Sequence, residues 1–311
     1  MLSLLLPPSL VGLIAGAVLI ASTVAGFLAF VPFMLMKLVL WPVPPLRHAC
    51  TEILFAIARH WAAFNRLVYR VLYPVSWDIE LRGALDPNRS YLLLCNHQSI
   101  IDILLVFDQM YRRVPPLCFF LKRELMWVPV IGVACWAMEF PFMRRHSREA
   151  VARDPALKVE DLATTRRFCE RFRRQPVTVV NFAEGTRFSE RKRLDKGSPF
   201  RHLLRPKSAG LAFTCDAMGD QFAGIIDMTI AYRASKSPIV WSFLTGEQAD
   251  LAIHIDVLPL PQELMHGDYH ADAEYRGRFQ AWLNTLWARE DARLERLTGR
   301  RPAAAARPRT T

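Results

Sequence analysis

The chain has 311 residues, of which 52% are hydrophobic and 22% are charged, and its formal net charge is +11. This length gives room for one catalytic domain with a sizeable core, and this composition excludes a wholly disordered chain. A soluble domain that carries an apolar appendage is favoured.

The apolar excess lies at the start of the chain, where Lys37 is the only charged residue within residues 1–41. The apolar run over residues 8–31 is long enough to cross the core of a bilayer. A secretory signal peptide would place Lys or Arg before this run, and neither is found there. We therefore expect a retained membrane anchor. Pro32 leaves two forms open, a single spanning helix and a re-entrant hairpin.

Basic residues follow the apolar segment, and none precedes it. The positive-inside rule therefore places the rest of the chain in the cytoplasm, at the inner or plasma membrane if the protein is bacterial. A second basic concentration, from Arg187 to Lys207, favours contact with anionic lipid and phosphate-bearing ligands. Nucleic acid is not expected as a partner, because no helix-turn-helix, zinc-finger or RNA-binding motif is visible.

The remaining chain alternates between strand and helix patterns. Apolar residues at helical spacing predict an amphipathic linker helix within residues 42–74. Short apolar runs predict strands near positions 77, 91, 117, 177, 225 and 252. Helices are predicted over residues 101–112, 130–138, 158–174, 208–218 and 271–297. We expect an α/β domain over residues 75–298, with a mixed sheet flanked by helices, and a disordered basic tail over residues 299–311.

The first motif that carries chemistry is the run from Asn96 to Asp102, which follows the predicted strand YLLLC. Its position places the imidazole of His97 at a strand-to-helix turn. Asp102 then lies in the first turns of the next helix, where its carboxylate can reach back to one ring nitrogen of the histidine. Such a pair is suited to act as a general base toward a hydroxyl. The spacing alone is a weak signal, so a second motif must decide.

The second motif is Asn181-Phe-Ala-Glu-Gly-Thr-Arg187, which follows the strand VTVV. Gly185 lets backbone N–H groups turn toward a ligand, Thr186 offers a hydroxyl, and Arg187 offers a forked pair of donors to phosphate. We expect Glu184 to orient Arg187 or a neighbouring donor, or to make a polar contact with the glycerol of an acceptor. On its own, the motif is also compatible with a plain surface turn.

Taken together, the two motifs resemble those of the glycerolipid acyltransferases, the 1-acylglycerol-3-phosphate O-acyltransferase family. Residues 136–145 look like the family's second block, an aromatic-rich strand ending in Arg, and residues 204–210 look like its Pro-Lys-x-x-Gly step. Residues 225–232 resemble the last block, in a form similar to the lysocardiolipin and lysophosphatidylinositol acyltransferase branch. One departure is Ala183, which stands where many members carry proline; the change affects rigidity more than chemistry.

The resemblance implies transfer of an acyl group from acyl-CoA or acyl carrier protein to a free hydroxyl of a lysophospholipid, first of all 1-acylglycerol-3-phosphate. It implies His97 and Asp102 as catalytic residues. The residues implied in substrate binding are Glu184, Gly185, Thr186, Arg187, Arg144 and Lys207.

No cofactor or metal is expected, since a thioester is already activated and the sequence has no HExxH or Cys/His cluster. The six cysteines lack CxxC or metal-ligand spacing and are predicted to be reduced core residues. The absence of a GxSxG motif argues against a serine acyl-enzyme and favours direct attack by the substrate hydroxyl. The oxyanion donor is either a backbone N–H group near the catalytic turn, which is the turn from Asn96 to Ser99, or a basic side chain.

Two other function classes compete with acyl transfer. A non-catalytic membrane adaptor that keeps a lipid-binding fold would be free to lose one of the motif residues, and all four of His97, Asp102, Glu184 and Arg187 are present. A lipid phosphatase or hydrolase would need metal carboxylates or a nucleophile elbow. His202 and His254 are interpreted as bystanders, because neither has a carboxylate at a motif-like spacing.

Overall fold

The computed structural model describes residues 5–73, 77–143, 175–233, 238–247, 250–269 and 271–299. Within these residues the strands are β1 Asp78–Arg82, β2 Ser90–Cys95, β3 Leu117–Phe119, β4 Leu121–Lys122, β5 Phe142–Met143, β6 Thr178–Asn181, β7 Phe222–Tyr232 and β8 Leu251–Leu258. The α-helices are α1 Pro8–Val39, α2 Pro44–Leu72, α3 Ile101–Met110, α4 Ile131–Ala137, α5 Glu190–Asp195, α6 Ala209–Met218, α7 Ile239–Thr245 and α8 Ala273–Gly299.

A six-stranded sheet forms the centre of the catalytic region, in the order β1-β8-β7-β2-β6-β3. β7 and β8 are antiparallel, and all other neighbours are parallel. Every residue of β2 is buried, as expected of a central strand whose two faces are both covered. The predicted mixed α/β sheet is confirmed. The predicted helices and strands that lie within the described residues begin and end close to their predicted positions, whereas the short helices α5 and α7 were not predicted.

The apolar N-terminal segment forms one continuous helix. α1 runs through Pro32 without a break, so a hairpin within residues 1–41 is wrong for this fold. The chain reverses only after α1, and α2 returns along it; Gly26 of α1 lies against Trp61 of α2, and Ser22 donates a hydrogen bond to Asn65 over 3.1 Å. At about 1.5 Å per residue, a 32-residue helix is about 48 Å long, which exceeds the thickness of a bilayer core.

α1 is long and apolar enough to cross a membrane, with a mean hydropathy of 2.3 over its most apolar window, of which only 11% is buried. Large side chains such as Leu13, Ile20 and Leu28 are more than 60% exposed. Lys37, near the C-terminal end of α1, is buried and forms an ion pair with Glu139 over 2.5 Å. This pair fixes the end of α1 to the segment between α4 and β5.

One sequence prediction needs correction, and others lie outside the described residues. Within its described residues, 136–143, the second block forms a strand only at Phe142 and Met143, whereas Trp136 and Ala137 end α4, in keeping with the predicted helix over residues 130–138. Arg144, Cys169, the predicted helix over residues 158–174 and the tail beyond residue 299 lie outside the described residues. The other five cysteines are free thiols, and all but Cys135 are fully buried.

Candidate active site

The two motif loops meet because β2 and β6 are parallel neighbours. Leu94 of β2 is paired with Asn181 of β6, so both strands end at the same edge of the sheet. The loop after β2 carries His97, and the loop after β6 carries Glu184. The backbone N–H of Phe188 in the second loop donates to the carbonyl oxygen of His97 over 2.6 Å. Sequence positions about ninety apart thus form one site.

The predicted catalytic pair is present in this site. Nδ1 of His97 lies 2.9 Å from Oδ2 of Asp102, and the histidine side chain is 15% exposed whereas the carboxylate is buried. A hydrogen bond from Nδ1–H to the carboxylate leaves Nε2 with its lone pair, which is the arrangement of a general base. The imidazole stacks on the ring of Phe182, with centroids 4.2 Å apart, and this contact restricts its rotation.

Asp102 accepts hydrogen bonds on both of its oxygens. Besides the imidazole, Oδ2 accepts the backbone N–H groups of Gln98 and Ser99 over 2.6 and 2.8 Å. Oδ1 accepts the hydroxyl of Tyr232, at the end of β7, over 2.5 Å. Tyr232 was not predicted as a site residue, although it is the last residue of the fourth sequence block. A strand period alone does not reveal its partner, because the contact spans 130 positions.

Of the partners predicted for Glu184, the structure shows neighbouring donors and not Arg187. Its carboxylate is 1% exposed and contacts main chain rather than Arg187: Oε1 accepts the N–H of His97 over 3.0 Å, and Oε2 accepts the N–H of Leu204 over 2.8 Å. Glu184 therefore joins the catalytic turn to the loop that precedes Lys207. Burial raises the pKa of Glu184 to about 7, although the two N–H bonds act in the opposite direction.

This raised pKa predicts how stability depends on pH. Because the pKa is about 7 in the folded protein against an ordinary 4.5, the folded state keeps a proton that the unfolded chain loses, and stability falls as the pH rises through this window. Glu184→Gln removes this titration. The melting temperature of the parent, taken relative to that of the variant, should therefore fall between about pH 5 and about pH 8. The full linkage effect is about 3 kcal/mol at most. A melting-temperature difference that does not change with pH would contradict the raised pKa of Glu184.

The loop after Glu184 carries the residues predicted to bind an anion. Gly185 has a positive φ of 66°, and its own N–H donates to the carbonyl of Phe182. The Thr186 hydroxyl accepts a hydrogen bond from Nζ of Lys192 over 3.1 Å. Arg187 is exposed, and its guanidinium makes no ion pair with the part of the chain that is described. Lys192 thus adds a cation that the motif reading missed.

Lys207 lies on a third loop of the same site. Its backbone N–H donates to the carbonyl of Ala183 over 2.7 Å, and α6 begins two residues later. Its side chain is exposed just before the start of α6, and its role in substrate binding stays a prediction. The remaining predicted substrate residue, Arg144, is outside the described ranges.

The two histidines interpreted as bystanders have carboxylate partners, none of them at the spacing of the His97–Asp102 pair. Nε2 of His202 lies 2.5 Å from Glu295. His254 lies between Glu80 and Asp256, at 3.0 Å from each. The partners come from α8, β1 and the same strand, so motif spacing did not reveal them.

The comparisons with known proteins agree with the motif resemblance. Residues 78–233 match the family model described as Acyltransferase. The chain is 26% identical over 179 residues to 1-acyl-sn-glycerol-3-phosphate acyltransferase delta of Bos taurus, covering 55% of this chain and 43% of the relative. It is 30% identical over 124 residues to the alpha form of Homo sapiens, covering 39% of each. The matches thus span less than half the length of these curated relatives.

Among solved structures, the 1-acyl-sn-glycerophosphate (LPA) acyltransferase PlsC from Thermotoga maritima aligns over 94% of this chain and 99% of its own, at 15% identity and a TM-score of 0.48. The resemblance of the last block to the lysocardiolipin and lysophosphatidylinositol branch stays a prediction. The family match covers half of the chain and contains both motifs and Tyr232. The chain therefore belongs to the Acyltransferase family.

Proposed function

We propose that the protein transfers a fatty acyl group from a thioester, acyl-CoA or acyl carrier protein, to a free hydroxyl of a lysophospholipid. The acceptor proposed first is 1-acylglycerol-3-phosphate. The observation that carries this proposal is the His97–Asp102 pair, 2.9 Å apart, held beside a loop with exposed cations. The names of the curated relatives support the same reaction for those proteins.

The reaction needs only groups that this site offers. Nε2 of His97 accepts the proton of the acceptor hydroxyl while its oxygen attacks the thioester carbonyl carbon. Asp102 stabilises the imidazolium that results. When the C–S bond of the tetrahedral intermediate breaks, the imidazolium returns the proton to the departing thiolate, so that the products are an ester and a free thiol. No covalent acyl-enzyme is required.

Transfer of a labelled acyl group tests the proposal directly. Purified full-length protein in detergent is given labelled acyl-CoA, or labelled acyl carrier protein, with a panel of lysophospholipids that differ in headgroup. We expect labelled diacyl phospholipid, formed fastest from 1-acylglycerol-3-phosphate. An adaptor would bind these lipids without turnover, and a lipid phosphatase would release phosphate without using the thioester.

We propose that Arg187 binds the phosphate of the acceptor. Arg187→Lys keeps the charge but loses the forked donors, so the acceptor KM should rise by about tenfold while the KM of the acyl donor stays close to its parent value. The matched control is Arg191→Lys, which changes a side chain that is 90% exposed on α5. An equal rise in both KM values would contradict this role.

We propose that the N-terminal segment brings the site to membrane-held substrate. Deleting residues 1–41 leaves both motifs intact, so activity on monomeric lysophospholipid in detergent should persist. Activity on the same lipid in vesicles should fall by about tenfold or more, since proximity to the bilayer is lost. The quantity measured is the ratio of the two activities. This ratio corrects for any loss of activity on both forms of the lipid that results when α2 no longer packs against α1. An unchanged ratio would assign the segment to targeting alone.

A further inference from the structure

The last helix, α8, lies beyond the residues that match the family model, yet it packs directly on the catalytic loops. Three contacts of one helix face reach these loops. Nε1 of Trp287 donates to the carbonyl of Leu204 over 3.1 Å, and the carboxylate of Asp291 accepts the backbone N–H groups of residues 201 and 202. The third contact comes from Glu290, whose side chain is completely buried.

Glu290 reaches the main chain of the catalytic turn itself. Its Oε1 accepts the N–H of Asn96 over 3.2 Å, across 194 positions of sequence. The Asn96 side chain is also fixed, since its amide exchanges two hydrogen bonds of 2.9 Å with the backbone of Ile230 in β7. The residue immediately before the catalytic histidine is therefore held from both α8 and the sheet.

The same pattern continues along the turn. Four consecutive backbone N–H groups, those of residues 96 to 99, each donate to a buried carboxylate: the first to Glu290, the second to Glu184, and the last two to Asp102. These four donors are engaged by the protein, so none of them is available as the oxyanion donor. The turn owes its shape to three carboxylates, of which one lies outside the family match.

Placing Glu290 at this position is costly for folding. Burial, with the nearby charges of Asp227 and Glu184, raises its pKa well above the ordinary value, and its Oε2 has no hydrogen-bond partner within the described parts of the chain. A hydrophobic residue of the same volume would avoid this desolvation. Such a residue could not, however, accept the hydrogen bond of the Asn96 N–H.

We propose that Glu290 is a positioning residue for acyl transfer. By accepting the Asn96 N–H, it fixes the position of the backbone just before His97 and thereby the alignment of His97 with Asp102. This inference rests on the proposed function, because its main readout is turnover. It makes α8 a part of the active site that the family match does not include.

A matched pair of variants tests this inference in the full-length protein. Glu290→Gln keeps an oxygen that can accept the N–H, whereas Glu290→Met has a similar length and offers only a weak thioether acceptor. We expect Glu290→Met to lower kcat by about tenfold or more with both KM values within about twofold, since a small displacement of a catalytic group acts mainly on the transition state. Glu290→Gln should stay within about threefold of the parent. Arg289→Gln, on the exposed face of α8, is the control and should match the parent.

Two further readouts keep the test decisive. If Glu290→Met does not fold, Glu290→Asp withdraws the carboxylate by one methylene and should give the same loss of kcat. The downfield proton resonance of His97 Nδ1–H, assigned by its absence in His97→Gln, should be weakened or shifted in the Met variant and kept in the Gln variant. This signal does not depend on turnover, so it separates failure of this inference from failure of the proposed function. Equal behaviour of the Met and Gln variants in kcat and in the resonance would overturn the proposal.

Discussion

His97→Ala should abolish acyl transfer while leaving the protein folded. Loss of a general base costs about a hundredfold or more in rate, because Nε2 of His97 is the group proposed to accept the proton of the acceptor hydroxyl. Folding should survive, because Asp102 keeps the two N–H groups of Gln98 and Ser99 and the hydroxyl of Tyr232 when the imidazole is gone. The buried carboxylate is therefore not left without partners.

The measurement compares initial rates with labelled acyl-CoA and melting temperatures in the same detergent. His202→Ala is the matched control, because it also removes an imidazole that contacts a carboxylate, in this case Glu295 at 2.5 Å. It should leave the rate unchanged. Residual activity of His97→Ala within a few-fold of the parent would exclude the general-base mechanism, whatever the effect on stability.

Local patterns in the sequence predicted the parts of the site that depend on neighbouring residues. The histidine and Asp102 are separated by five positions, and a strand followed by a helix start brings them together without help from the rest of the fold. The alternation of strands and helices also predicted the α/β class. These features follow from local geometry, which a single sequence contains.

The contacts that hold the catalytic turn could not be predicted in this way. Glu184, Tyr232 and Glu290 reach it across 87, 130 and 194 positions, and only the order of the strands and the packing of α8 make them neighbours. The motif singled out Glu184 but favoured Arg187 as its partner, because the motif does not reveal that the carboxylate points inward to backbone N–H groups. Burial decides this, and burial depends on the whole fold.

Asp102→Asn removes the negative charge of this side chain while keeping its shape, so this variant tests the charge alone. Asp102→Asn should lower kcat by about a hundredfold or more with the fold retained, because the amide cannot stabilise the imidazolium that forms when His97 accepts a proton. The orientation of the new side chain is determined by its surroundings. Three donors converge on Oδ2, so the amide oxygen must take that place, and the NH₂ group then faces Tyr232.

Tyr232 can adapt to this change by rotating its hydroxyl hydrogen, so that its oxygen accepts from the new amide instead of donating to the old carboxylate. We therefore expect Asp102→Asn to melt within a few degrees of the parent. Tyr232→Phe alone removes one donor to the carboxylate, but in the double variant it leaves the buried NH₂ group of Asn without an acceptor, which costs about 1–3 kcal/mol. The decrease in melting temperature of the double variant should therefore exceed the sum of the decreases of the two single variants. Additive melting temperatures would contradict the hydrogen bond between Tyr232 and the side chain at position 102. An Asp102→Asn variant with more than about a tenth of the parent kcat would show that Asp102 is not the charged partner of the catalytic base.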